Sequence, residues 1–341
     1  MSTPSTRPRP YELNHRIKSA APGSTVQVPA GQYGDLKVHD ENPASTIVVQ
    51  AMGKVILTKL DISDCSNLTF QGPFEVAAPP ESNEAVGVRD STNITLDGML
   101  VHGDFSCCKG IVGRRATNLL VRNCELYSVM CAVSVNESSN YKADNNHIHD
   151  IRRDAFMSVG LRGATFTNNL VHDMFPVGTA GTGGDHADSF QLYTDDEQGG
   201  ACWDVVISNN VVFPGQGTGC QGPFINGSGH KNFTITNNWV LSGDAFANAI
   251  SITGCDGVTI QNNWVLGHDD VGANIRVHDG DGPCSNVVQS PNVAIDQHSN
   301  QSAGDPLVPA ISESLFDVLR KLTEGRAYAH TAAPPEAPPA R

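Results

Sequence analysis

The chain is poor in positive charge: 22 lysines and arginines stand against 36 aspartates and glutamates, for a formal net charge of −14. Gripping a phosphate backbone needs clustered cations, so a nucleic-acid partner is not expected. An anionic substrate stays open, because a few arginines in one place set the local field. No run of about 18 apolar residues occurs, which excludes a transmembrane helix and with it an expected membrane partner. The opening MSTPSTRPRP lacks the apolar core of a signal peptide. A cytoplasmic, virion-associated or leaderlessly exported protein is therefore expected. The nine cysteines include no CxxC pair, so no zinc finger is expected. Their odd number suits free thiols, and Cys202–Cys220 is the one pairing that would pin two loops. A nucleotide-binding loop, a GxSxG elbow and an HExxH helix are all missing. So is a sustained helical period.

What the sequence does have is a recurring pair of asparagines. It reads YKADNNHIHD at Asn145 and Asn146, ATFTNNLVHD at Asn168 and Asn169, and DVVISNNVVF at Asn209 and Asn210. It returns as NFTITNNWVL at Asn237 and Asn238 and GVTIQNNWVL at Asn262 and Asn263, with NLLVRNCELY around Asn123 as a weaker copy. Counting Asn123 with the second asparagines, the gaps are 23, 23, 41, 28 and 25 residues. A period in the twenties means a solenoid with one turn per repeat. Each unit alternates Val, Ile, Thr and Phe with polar residues on both sides of the pair, which is two strands and a bend. Asparagine suits the bend, since it tolerates left-handed backbone and its amide both donates and accepts. Stacked bends can then form an amide ladder.

These units resemble the right-handed parallel β-helix of the pectate-lyase-like superfamily, over roughly residues 10 to 300. The resemblance implies an all-β, single-domain solenoid with a short N-terminal capping helix and a C-terminal helix. The expected layout is a disordered N-terminus over 1–10, the β-helix over 11–300, a C-terminal helical segment over 301–326 and a disordered tail over 327–341. The first helix is expected at 12–20, before Pro22 and Gly23. Capping is a physical need, because a solenoid end exposes its core and an unpaired strand edge.

The long gap between Asn169 and Asn210 holds two Gly-rich insertions, PVGTAGTGGDH (176–186) and TDDEQGGAC (194–202). Insertions in a solenoid map to loops on one face, often the binding face. Between them lies the densest chemistry, GGDHADSFQLYTDDE. Aligning the strands before each Asn-Asn unit, with Phe156, Phe190, Phe224, Ile250 and Ile275 inward, puts Met157, Gln191, Ile225, Ser251 and Arg276 in one outward column. Tyr193, Thr253 and His278 form a second. Asp154 and Asp188 take equivalent strand-start positions. Carboxylates that close raise one pKa unless a cation intervenes. They can be an acid and a nucleophile or base for glycoside hydrolysis, Ca²⁺ ligands together with Asp185, or capping residues. IHD and VHD, in adjacent turns, read as a polar ladder at a corner or a metal pair.

The expected partner is a polysaccharide held along residues 150–280. In β-elimination of a polyuronate, Arg153 would neutralise the carboxylate, His186 take the C5 proton and Tyr193 protonate the leaving oxygen. Gln191, Arg276 and His278 would bind the chain. Hydrolysis by Asp154 and Asp188 is the rival. A non-catalytic adhesin or phage-tail-like protein is the alternative class, either monomeric or trimeric. The run D-H-x-D-x-x-Q looks like one found in β-helix proteins of the polysaccharide-degrading type. The paired-aspartate and Gly-His-Gly set of polygalacturonases is absent, as is the Asp-Pro-His run of mannuronan epimerases.

Overall fold

A computed structural model describes residues 10–106, 108–178, 184–217, 220–242, 248–267, 274–289 and 292–294. Of the expected disordered N-terminus over 1–10, residues 1–9 lie outside these residues and Pro10 is helical, and the C-terminal helical segment and the tail also lie outside them. The first helix occupies Pro10–Lys18, two residues earlier than expected. Pro10 opens it because its missing N–H would be unpaired there in any case. Leu13 and Ile17, four apart and 1% exposed, turn its apolar stripe onto the coil. It packs against the strand Gly31–His39.

From Thr25 onward the chain winds as a parallel coil. Among the described residues the first face has eleven parallel strands, from Thr25–Val28 to Ser285–Gln289. The other strands form a second face, which includes Glu125–Val129, His147–Ile151 and Leu170–Val171, and a third face. The third face includes Cys131–Asn136, Phe156–Val159, Asp188–Tyr193, Gln221–Asn226, Asn248–Thr253 and Asn274–His278. Adjacent turns lie about 4.8 Å apart. Inward side chains alternate with outward ones, as Leu119 and Val121 show within Thr117–Arg122. The core is a narrow column. In it Phe156 stacks on Phe190 at 5.1 Å with 9° between planes, and Phe166 meets both edge-on. Each such ring contributes roughly 1.5–3 kcal/mol by burial alone.

The asparagine pairs turn the chain from the first face to the second. The first asparagine of each pair (Asn145, Asn168, Asn209, Asn237, Asn262) has φ between 54° and 57°. That left-handed bend is one asparagine tolerates better than most residues. The second asparagine is buried. Asn146 donates its amide to Asn169, Asn169 to Asn210, Asn210 to Asn238 and Asn238 to Asn263 at 2.9 Å, and Asn263 to Asn292 at 3.0 Å. Each Oδ1 also accepts the backbone N–H of the previous rung, and each Nδ2 also donates to a carbonyl, as Asn146 does to Val121. One expectation is corrected here. Asn123, with φ 54°, stands in the first-asparagine column, and Cys124 fills the ladder position above Asn146. The true interval is one residue shorter there. The Cys202–Cys220 bridge is not formed, and both are buried free thiols.

Candidate active site: the outer surface of the third face

Register pairing sets the site. Met157 pairs with Gln191, Gln191 with Phe224, Phe224 with Ser251 and Ser251 with Arg276. The outward column therefore carries Phe224, and Ile225 is buried. The sequence alignment had these two reversed. Pro223, not Phe224, pairs with Phe190, and a one-residue slip in a strand exchanges its two faces. The second column runs Val159, Tyr193 and Asn226, and Thr253 pairs with His278 further along. Gln191, Tyr193, Arg276 and His278 thus share one surface, as expected. Three rungs of about 4.8 Å separate Gln191 from Arg276.

Asp154 and Asp188 are neighbours on adjacent turns, and the Asp188 N–H donates to Asp154 Oδ1 at 3.3 Å. Both are 0% exposed. This corrects their placement as surface catalysts: Asp188 shares strand parity with Phe190 and Leu192 and lies on the core side. Burial raises Asp154 to about 7, against the lowering field of Arg153. Burial, then the charge of Asp154, raises Asp188 well above the ordinary carboxylate range. Neither oxygen of Asp188 has a hydrogen-bond partner. Cys131, one turn before Asp154, is pushed up to about 12 by burial and by Asp154, and stays a thiol. The pair is therefore a buried reservoir holding at least one proton at neutral pH.

Asp185 is committed. Arg152 grips it bidentately at 2.6 and 3.0 Å, and the Val177 N–H adds a bond of 2.9 Å. Arg152 also donates to Ser106 O at 2.6 Å, so it ties three turns to the base of the first insertion. A Ca²⁺ ion at Asp185 would have to displace one guanidinium and sit beside another, which argues against that ligand assignment. Arg153 is less engaged. It approaches Asp185 Oδ1 at 3.6 Å, its side chain is 31% exposed, and its Nε has no hydrogen-bond partner.

His186 is half-buried, two residues before the strand Asp188–Tyr193. Tyr193 ends that strand, and its phenol is raised by burial and then by Asp195, so it remains protonated. Five residues at about 3.3 Å each put roughly 16 Å of strand between Asp188 and Tyr193. Tyr193 thus lies at the far end of this strand from His186, which argues against the two as base and acid of one centre. On the far side of the strand, the second insertion folds as the short helix Asp196–Gln198, capped by Asp195 and ended by Gly199 at φ 89°. Gly160 lies under it, where a Cβ would come within 2.8 Å of Gln198 O.

Sequence reasoning overlooked two further groups. Glu125 and His147 are register partners on the second face, with His149 beside them. Their ligand atoms, with those of His149, lie within 4.8 Å of one another. The signal was available in NNHIHD, where His147 and His149 are two apart and share a face. Burial lowers His149, but Asp150 and Glu125 outweigh it and raise it to about 9.

Among the described residues no helix is long and apolar enough to cross a membrane. No match was found among curated proteins. The fold resembles a lacto-N-biosidase of Eubacterium ramulus, with a TM-score of 0.52 at 13% identity over 83% of this chain and 64% of that one. It also resembles an alginate lyase of a Paenibacillus species, with a TM-score of 0.47 at 12% identity over 82% and 97% of the two chains. A surface adhesin of Streptococcus pneumoniae gives 0.44 at 11% identity over 83% and 85%. The profile of the right handed beta helix region matches residues 41–189 and 85–290. Together with the coil and its asparagine ladder, that match places the chain in the right-handed β-helix family.

Proposed function

We propose that the third face binds an acidic polysaccharide and cleaves it by β-elimination at its Arg153 end. The observation that carries this reading is Arg153: its side chain, three residues before the strand Phe156–Val159, is 31% exposed, while its buried Nε lies 3.6 Å from Asp185 without a hydrogen bond. Guanidinium recognises carboxylate bidentately. Neutralising a uronate carboxylate is what makes the neighbouring C5 proton removable. His186, half-buried two residues before the strand Asp188–Tyr193, takes that proton. In an elimination where proton and leaving oxygen share a face, the same imidazole returns it to the leaving oxygen. Gln191 and Tyr193 hold the next unit, and Arg276 and His278 a unit further along. The lacto-N-biosidase neighbour is named for action on a carbohydrate, which supports a glycan as the ligand and says nothing of its charge or of the reaction.

Asp154 and Asp188 take no direct part. A hydrolytic carboxylic acid or nucleophile must reach the glycosidic bond, and both are fully buried. This disfavours the hydrolase reading. The test is incubation with a panel of polyuronates and neutral glycans, with and without chelator, using wild type and Arg153→Gln. Elimination gives ultraviolet absorbance from the unsaturated uronate, chiefly in wild type. Binding without turnover would leave a glycan-binding protein and overturn the catalytic part.

A further inference from the structure

Away from the groove, the second face carries a column of stacked rings. His102, Tyr127, His149, His172 and Phe213 lie one above another with centroids between 4.9 and 5.4 Å apart. Stacking accounts for the rings. It does not account for the polar groups gathered at two of them. His149 Nδ1 lies 2.7 Å from Asp150 Oδ2, and His172 Nδ1 lies 2.7 Å from Asp173 Oδ2. Both aspartates occupy left-handed corner positions, φ 49° and 53°, and Asp173 is fixed in turn by the Gln216 N–H. Each carboxylate therefore claims Nδ1 and leaves Nε2 to face elsewhere. His149 Nε2 faces Glu125 Oε1 at 3.2 Å, and His172 Nε2 faces His147 Nε2 at 2.7 Å.

We propose that Glu125, His147, His149 and His172 form a site for one divalent transition-metal ion of the zinc class, oriented by Asp150 and Asp173. Metal-binding histidines almost always give their other ring N–H to a carboxylate or carbonyl, the arrangement both rings already have. Zinc–nitrogen and zinc–oxygen bonds of about 2.0–2.2 Å in a tetrahedron put donor atoms about 3.3 Å apart. The ligand atoms of Glu125, His147 and His149 already lie within 4.8 Å of one another, and His172 Nε2, 2.7 Å from His147 Nε2, joins them by rotation of its ring out of the stack. The coil supplies the ligands by its own spacing. Glu125 and His147 are register partners, His147 and His149 are two apart on one strand, and His172 comes from the next turn. Three imidazoles and one carboxylate suit zinc, cobalt, nickel or copper and not calcium, which prefers oxygen. His149 and His172 are 8% and 5% exposed, and Glu125, with a side chain 30% exposed, gives entry. The ion would staple three successive turns at the corner from which Arg152 and Arg153 enter the groove.

The experiment uses tag-free full-length protein, dialysed against chelator and titrated with Zn²⁺ by calorimetry and with Co²⁺ by absorbance. The expected result is one ion per chain, with visible bands of nitrogen and oxygen ligation and no thiolate charge-transfer band. His147→Ala and Glu125→Gln should each weaken binding at least tenfold. Asp173→Asn should weaken it about 10- to 100-fold, with circular dichroism unchanged. Glu125→Gln is the partly exposed change that keeps the test decisive if a histidine variant does not fold. Absence of saturable Zn²⁺ binding, affinity unchanged in Glu125→Gln, or a thiolate band would overturn the site and leave a self-contained histidine–carboxylate ladder.

Discussion

Two buried polar columns run along this coil at the same spacing. One is the asparagine ladder at the first corner, and the other is the Cys131–Asp154–Asp188 line at the start of the third face. In the ladder every rung donates and accepts, so Asn146 to Asn292 pair in series without a gap. In the aspartate line the groups chiefly accept, and Asp188 is left with two unpaired oxygens. An amide column extends itself because each group carries both halves of a hydrogen bond. A carboxylate column does so only if one member keeps its proton. A fully satisfied column stabilises the fold, whereas a partly satisfied one costs stability where it stands. The unsatisfied column adjoins Arg153 and the first insertion.

The comparison can be broken most severely at the ladder. Asn210→Ala should strand the donors of Asn169 and remove the partner of Asn238. At about 1–3 kcal/mol per stranded buried group, the loss should be about 3–5 kcal/mol, read as a lower denaturant midpoint. An unchanged midpoint would mean the ladder is ornamental. On the other side, Arg153→Ala should lower turnover on a polyuronate by roughly 10²–10³, the range for losing one charge-stabilising donor, without lowering the melting temperature. Equal loss of both would make Arg153 structural.

The next test concerns sign. Folding raises the pKa of both aspartates, so the native state holds more protons than the unfolded one. Their contribution is most favourable below the unfolded value near 4 and is lost as pH rises through the folded value, about 7 for Asp154. Asp188→Asn should therefore stabilise the protein more at pH 8 than at pH 5. Melting curves of the two proteins at both pH values decide it, and a parallel shift would contradict the buried-proton account. The smallest effect is at the ladder's upper end. Cys124→Asn should extend the series by one rung and stabilise by about 0.5–1 kcal/mol, measured by the same denaturation.

Much of the fold was legible because the asparagine pair has a local cause: a left-handed bend followed by an amide that must find a partner. Asn145, Asn168, Asn209, Asn237 and Asn262 bend as that argument requires. The register at Phe224 was not legible, since aromatic identity suggested an inward ring while the aliphatic alternation Leu192, Ile225, Ile252 decides the pairing. The placement of Asp188 was readable but missed. Counting back by two from Leu192 and Phe190 leads to the core side. The length of the strand between Asp188 and Tyr193 was also in the sequence, as the alternation of Phe190 and Leu192 with Gln191 and Tyr193. What no pattern revealed was the capture of Asp185 by Arg152, because that contact bridges 33 residues of the chain.

The most direct test of the central claim is product mass from a polyuronate digest, taken together with ultraviolet absorbance. The account predicts unsaturated oligouronides, each one water lighter than its hydrolytic counterpart, formed by wild type and by Asp188→Asn but only weakly by Arg153→Gln. Saturated products of full hydrolytic mass, or products that vanish in Asp188→Asn while persisting in Arg153→Gln, would contradict it.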